Sequence, residues 1–124
     1  MKPTLEEWRP IVGWEGFYEV SSWARVKSLP RWVNNSQGGK RLVEERILKQ
    51  APSSSGYLTV SLCREGQQKT KSVHLLVLTA FVGPAPEGME GCHEDGNRRN
   101  NSSCNLRWDT RQNNHLDKIL HGTS

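Results

Sequence analysis

Alternation of hydrophobic and polar positions dominates the first 72 residues, and a single helical repeat follows it. Two short β-prone runs, Phe17–Val20 and Ala24–Ser28, are separated by a Ser21-Ser22 turn, and in the second Val26 faces away from Arg25 and Lys27. That pattern predicts a small hairpin with cations on one face. From Pro30 to Lys40 the chain is rich in Asn, Ser, Gln and Gly and reads as a basic, flexible surface loop. Further strands are predicted at Ile47–Gln50, at Tyr57–Cys63 with its Tyr-Leu-Thr-Val-Ser-Leu alternation, and at Lys69–Ser72, with Gly56 and Gly66 at the turns. The period then changes: Val73, Leu76, Val77, Ala80 and Phe81 share one helical face, and Gly83-Pro84 ends the helix. The last third predicts a strand at Met89–His93, a polar loop from Glu94 to Cys104, a strand at Asn105–Asp109, and a final helix over Arg111–His121 between an N-cap at Thr110 and Gly122.

Composition narrows the class. With 124 residues, 34% hydrophobic and 24% charged, the chain holds a modest core, and one compact domain is the default. The most apolar stretch, Val73 to Val82, is interrupted by His74 and Thr79 and falls short of the roughly 20 residues a spanning helix needs, so no membrane association is expected. Met1 to Pro10 has no apolar block, and no secretory signal is read there. Cys63, Cys92 and Cys104 leave one cysteine over under any pairing and form no C-x-x-C, which suits reduced thiols in a cytoplasm. Trp23 and Trp108 are expected in the core, where their area is most useful.

Charge is unevenly distributed. Counting Lys and Arg against Asp and Glu, residues 1–24 carry −2, residues 25–71 carry +7, residues 72–97 carry −4 and residues 98–118 carry +3. Two basic stretches flanking an acidic one suit a phosphate backbone with a divalent cation between them, and ordinary solvated surface is the plain alternative.

One constellation carries chemistry. His93 ends a predicted strand, Asn105 opens the next 12 residues on, and Asn114 lies in the first turn of the final helix 9 further on. A neutral imidazole is a natural base for activating water, and a hard divalent ion relieves charge on a departing phosphodiester oxygen.

Around these residues stand Val73-His74-Leu75-Leu76-Val77 with Ala80-Phe81, Cys92-His93-Glu94-Asp95-Gly96-Asn97, Asn100-Asn101 and Asn105-Leu106-Arg107-Trp108-Asp109-Thr110. On these residues the chain resembles the HNH endonucleases, in particular the phage and intron-homing branch whose third position is Asn. Upstream, Trp8 to Ser28, with Gly13-Trp14-Glu15-Gly16 and Tyr18-Glu19-Val20-Ser21, resembles the small DNA-binding module often fused ahead of such nucleases. The resemblance implies an α+β chain, with an N-terminal β module over residues 1–50 and a ββα-metal (HNH) nuclease motif over residues 51–124. It implies His93 as base, Asn114 as metal ligand, and Asn105 as the residue whose amide bonds the loop backbone so that His93 points at the phosphate. Those nucleases often have a metal-binding Asp just before the base, where this chain has Cys92. A thiol is a poor partner for magnesium. Either Asn114 with Asp117 or His121 completes the shell of Mg2+ or Mn2+, or a softer ion such as Zn2+ binds. Asp117 and His121 share the helical face of Asn114, His115 is adjacent, and Asp117 has the charge a hard ion prefers.

The expected partner is double-stranded DNA. Arg25, Lys27, Arg31, Lys40 and Arg41 are read as one part of its footprint, and Arg98, Arg99, Arg107 and Arg111 as the part near the scissile phosphate. Two other readings remain open: a DNA-binding module that keeps the fold without cutting, and a structural zinc protein built on Cys92, Cys104, His115 and His121. His74, inside an apolar helix, is read as a buried hydrogen-bonded residue.

Overall fold

The computed structural model describes residues 5–34, 36–64 and 66–110. Arg111, Asn114, His115, Asp117 and His121, and with them the predicted final helix, lie outside the described residues. In chain order the elements are β1 (Trp8–Pro10), β2 (Tyr18–Ser21), β3 (Val26–Ser28), β4 (Arg31–Asn34), β5 (Lys40–Val43), β6 (Arg46–Ile47), β7 (Ala51–Pro52), β8 (Leu58–Arg64), β9 (Gln67–Ser72), α1 (Val73–Phe81), β10 (Met89–His93) and β11 (Leu106–Thr110). They form an antiparallel sheet β1-β2-β3-β6, a ribbon β4-β5, a sheet β7-β8-β9 and a ribbon β10-β11. This is the α+β arrangement that the resemblance implies, strands first and then helix, strand, loop, strand. Among the described residues no helix is long and apolar enough to cross a membrane.

The β2–β3 turn follows from its serine. Ser21 Oγ accepts from the backbone N–H groups of Trp23 and Arg25, both at 3.1 Å, and the turn carries Ala24 at φ 67°. Val20 and Val26, opposite each other across the hairpin, are fully buried, while Arg25 on the other face is exposed.

Two segments differ from the sequence reading. Pro30–Lys40, expected as a loop, contains strand β4 and the start of β5. The Asn/Ser/Gln/Gly signal belongs only to the hairpin tip; on its flanks Val33 and Val43 turn inward, half-buried, while Trp32 pairs with Leu42 on the exposed face. The strand expected at Ile47–Gln50 is reduced to the two residues of β6. Beyond it the Leu48 N–H still donates to Val26 at 2.8 Å, and the Gln50 amide donates to Ala24 O at 2.7 Å, so the chain hugs β3 without continuing the ladder.

A single core joins the two parts of the chain. Ile11, Trp14, Tyr18, Val20 and Val26 pack with Val60, Leu62, Val73, Val77, Leu78 and Leu106. Tyr18 locks the first sheet to β8: its hydroxyl accepts from Cys63 N at 2.8 Å and donates to Cys63 O at 3.0 Å. Trp14 is the tryptophan in this core, Trp108 packs against it half-buried, and Trp23 is half-buried outside the cluster.

Helix α1 has the bounds its period predicts, but its buried stripe is rotated toward His74 and Leu78, which are sealed with Val73 and Val77. Leu76, Ala80 and Phe81 are only partly buried. At the C-terminus Gly83 N donates to Leu78 O at 2.9 Å, and Arg9 reaches the Ala80 carbonyl at 3.1 Å. The rotation has a cause in β10. A Cβ on Gly91 would lie 2.8 Å from His74 Cδ2 and 3.1 Å from Leu78 Cδ1, so the missing side chain admits the helix. Gly91→Ala is therefore expected to cost about 1–3 kcal/mol through overpacking. Denaturant unfolding checks this, and unchanged stability would show that the helix can retreat freely.

Candidate active site

The register of β10 with β11 pairs Cys92 with Arg107 and His93 with Leu106. Successive side chains alternate between the faces of a strand. Gly91 and His93 therefore share the face toward α1 with Leu106 and Trp108, and Trp108 donates from Nε1 to Gly83 O at 3.0 Å. Glu90, Cys92, Arg107 and Asp109 take the opposite face.

The polar loop between the strands is closed by Asn105. Its Nδ2 donates to Asn100 O at 2.7 Å and to Asp95 Oδ1 at 3.0 Å, its Oδ1 accepts from Asp95 N at 3.2 Å, and its carbonyl accepts from Glu94 N at 2.8 Å. Asp95 is the second hub, accepting from Asn97 N at 2.8 Å and Asn100 Nδ2 at 2.9 Å. Burial pushes the Asp95 carboxyl up, but the donors of Asn100, the Asn97 backbone and Asn105 together hold it below its ordinary range. Gly96, at φ 72°, makes the turn directly after His93, whose carbonyl accepts its N–H at 3.1 Å. Ser103 N, donating to Ser22 O at 2.8 Å, ties the loop to the N-terminal sheet. Asn105→Ala opens this clamp by removing its three part-buried side-chain hydrogen bonds, with an expected loss of about 1–3 kcal/mol and a parallel loss of activity. Thermal melts read beside the cleavage rate check this; full stability in the variant would remove the clamp role.

His93 closes the strand end at 6% exposure. Its ring lies 5.2 Å from that of His74 and 5.9 Å from that of Tyr57, and Tyr57 stacks on His74 at 4.8 Å. The Arg98 guanidinium stands 4.9 Å above the Tyr57 ring. The polar contact of His93 is Nε2 with Asn101 Oδ1 at 2.6 Å. Burial lowers the His93 pKa below the usual histidine value, the Asn101 bond and Asp95 oppose that shift, and Arg98 adds to it. The ring is thus neutral at pH 7, the state a base requires. His74 is buried as expected, but its Nδ1 has no hydrogen-bond partner among the described residues. Burial, reinforced by the charge of His93, pushes its pKa down to about 4.

Of the metal donors named from sequence, Cys92 and Cys104 are described; Cys92 is 2% exposed, on the strand face opposite His93, and Cys104 is exposed. Among the described residues no group of three or more His, Cys, Asp or Glu side chains is placed to hold a metal ion. Among the described residues Cys63, Cys92 and Cys104 form no disulfide.

The basic residues divide by their neighbours. Arg25 pairs with Glu6 through Nε at 2.8 Å and through Nη2, and Lys27 lies 3.6 Å from Glu19, 3.9 Å from Glu45 and 4.3 Å over the Trp8 ring. The hairpin's cationic face is therefore largely neutralised within the protein. Arg107 is held by Glu94 at 2.6 Å and Asp109 at 3.0 Å. Arg31 and Lys40 line a groove with exposed Trp32 and with Arg64, which the sequence reading did not single out. Arg64 sits over the rings of Trp14 and Phe17 at 5.1 and 5.4 Å. Arg41 and Arg99 are exposed, and Arg98 donates to Ser55 O.

Residues 6–63 match the NUMOD4 motif, and residues 71–116 match the HNH endonuclease model. The chain thus carries a NUMOD4-like segment followed by an HNH endonuclease-like segment. It is 37% identical over 117 residues to the DNA endonuclease I-HmuI of Bacillus phage SP01, covering 94% of this chain and 60% of that protein. An uncharacterized HNH endonuclease of Acanthamoeba polyphaga mimivirus is 29% identical over 118 residues, covering 95% of this chain and 31% of its own length. The solved structure of the HNH homing endonuclease I-HmuI, which concerns DNA binding and cleavage, superposes with a TM-score of 0.74 at 36% identity, over 95% of this chain and 60% of that one. This chain spans 60% or less of the length of these relatives.

Tyr57, His74, Asp95 and Asn101 complete the surroundings of His93, and sequence reading placed none of them in contact with it. The Asn100-Asn101 pair in the polar loop was a visible signal for one of them. Tyr57 reaches the site only through the fold, from the start of β8.

Proposed function

We propose that this chain is a divalent-metal-dependent endonuclease that hydrolyses phosphodiester bonds of double-stranded DNA in the cytoplasm of its host cell, with His93 as general base. The observation that carries the reading is His93 itself: a neutral imidazole at a strand end, one nitrogen held by Asn101 and the adjoining loop clamped by Asn105. Exposed Lys40 and Arg41, with Arg31 and Arg64 beside them, supply cations for the DNA backbone, as does exposed Arg99 nearer the base. Arg25, Lys27 and Arg107 enter that footprint only by exchanging protein carboxylates for phosphates.

The metal, when bound, supplies Lewis-acid relief of charge on the leaving oxygen. Its candidate donors are Asn114, Asp117, His121 and Cys92. The burial of Cys92 favours a packing role for the thiol, with oxygen donors from beyond residue 110 holding the ion.

Plasmid relaxation tests the reading. Supercoiled DNA converted to nicked or linear forms with magnesium or manganese, and protected by chelator, supports it. Binding without cleavage under any divalent ion would replace it with the non-cutting reading. Comparing Cys92→Asp with the parent across magnesium, manganese, cobalt and zinc assigns the thiol. A changed ion ranking makes it a ligand, and an unchanged ranking with a lower melting temperature makes it a packing residue.

A further inference from the structure

Asn101 is 3% exposed and His93 6%, and Asn101 Oδ1 lies 2.6 Å from His93 Nε2. A carbonyl oxygen has no proton to give, so a ring nitrogen at this distance carries one. A neutral imidazole has a single N–H, and with that proton on Nε2 the lone pair is on Nδ1. Among the described residues Nδ1 makes no hydrogen bond, and it is not one of the sealed polar atoms.

We propose that Asn101 is a positioning residue that fixes the tautomer of His93, holding the proton on Nε2 so that Nδ1 faces the water to be activated. The assignment rests on the reading of His93 as the base for DNA cleavage.

A second observation supports it independently of distance. Asn101 Nδ2 is sealed from solvent and has no partner among the described residues. An orphaned buried amide is costly, and the contact of Oδ1 with His93 is what offsets that cost here. Rotating the amide by half a turn would place Nδ2–H against Nε2, move the ring proton to Nδ1 and occupy the other lone pair. The two orientations therefore give opposite tautomers, and only one leaves a base. The backbone around Asn101 is pinned on both sides: Asn105 Nδ2 donates to Asn100 O, and Ser103 N donates to Ser22 O. The remaining wall of the ring is aromatic, Tyr57 and His74, and His74 is neutral at pH 7 with its pKa near 4. Among the described residues Asn101 is thus the polar handle that sets the ring's protonation pattern.

Nitrogen-15 NMR of the full chain, without DNA, reads the tautomer directly. A protonated Nε2 and an unprotonated Nδ1 are expected for His93. Asn101→Ala should give averaged ring-nitrogen shifts and a kcat lower by about 10–100-fold, with KM for DNA unchanged. Asn101→Asp keeps an acceptor oxygen and should restore the Nε2–H signature and part of the lost kcat. A parent protein with its proton on Nδ1, or an Ala variant with the parent's tautomer and kcat, overturns the proposal. If the Ala variant does not fold, the parent spectrum and the Asp variant decide it. A parent that shows the Nε2–H signature yet cuts no DNA under any divalent ion supports the tautomer assignment and refutes the nuclease reading, so the two failures are distinct.

Discussion

His93→Ala is expected to lower DNA cleavage by about 10²–10⁴-fold while leaving DNA affinity close to that of the parent, the signature of a lost general base. The substitution removes a ring that is 6% exposed and held at one nitrogen by Asn101. The cations around the candidate footprint, Arg31, Lys40, Arg41, Arg64 and Arg99, are untouched by it. The pH profile of the parent adds a second readout. Burial lowers the His93 pKa, so the rate should stay on its plateau as pH falls through 6.5 and drop only below the range where an exposed histidine protonates. Single-turnover cleavage and filter binding from pH 4.5 to 8 measure both. An Ala variant that cuts at the parent rate removes His93 from the reaction; one that also loses binding makes it a contact residue.

The parts of this site that were legible in the sequence are the local ones. His93 and Asn105 fall at the two ends of one loop, and the clamp they bracket is made of bonds between near neighbours in the chain. Helix α1 was legible to its end residues because its apolar period and the Gly83-Pro84 stop are local. What that period did not give is which side of the helix is sealed. Gly91, on a distant strand, decides that by admitting His74 and Leu78. The hairpin β4-β5 was missed because its tip carries the loop signal and its exposed face carries Trp32 and Leu42, so burial does not mark the strands. The neutralisation of Lys27 likewise depends on Glu19 across the hairpin and Glu45 beyond the ribbon, pairings that charge counting cannot see.

The second large effect concerns His74 and acid stability. This ring is 7% exposed, stacked on Tyr57 and tilted against His93, with Nδ1 unpartnered among the described residues, and its pKa is pushed down to about 4. The unfolded chain titrates at the ordinary histidine value of about 6.5. Between these two values the unfolded state binds a proton that the folded state refuses, so stability rises with pH across that window. Above about pH 6.5 the folded state has its full advantage; as pH falls toward 4 it loses roughly 3 kcal/mol from this one group, and below about 4 the loss levels off. Asp95 and Glu6, whose pKa values are lowered, add their own losses only at the acid end, where carboxylates protonate. His74→Phe keeps a ring against Tyr57 and removes the titration. Denaturant unfolding at pH 7 and pH 5 should show a clearly smaller drop for the Phe variant than for the parent. The slope that remains in the variant reports His93, which titrates with the same sign. A Phe variant that loses as much stability as the parent between pH 7 and pH 5 would mean that His74 accepts its proton in the folded state, and that a partner for Nδ1 forms in acid.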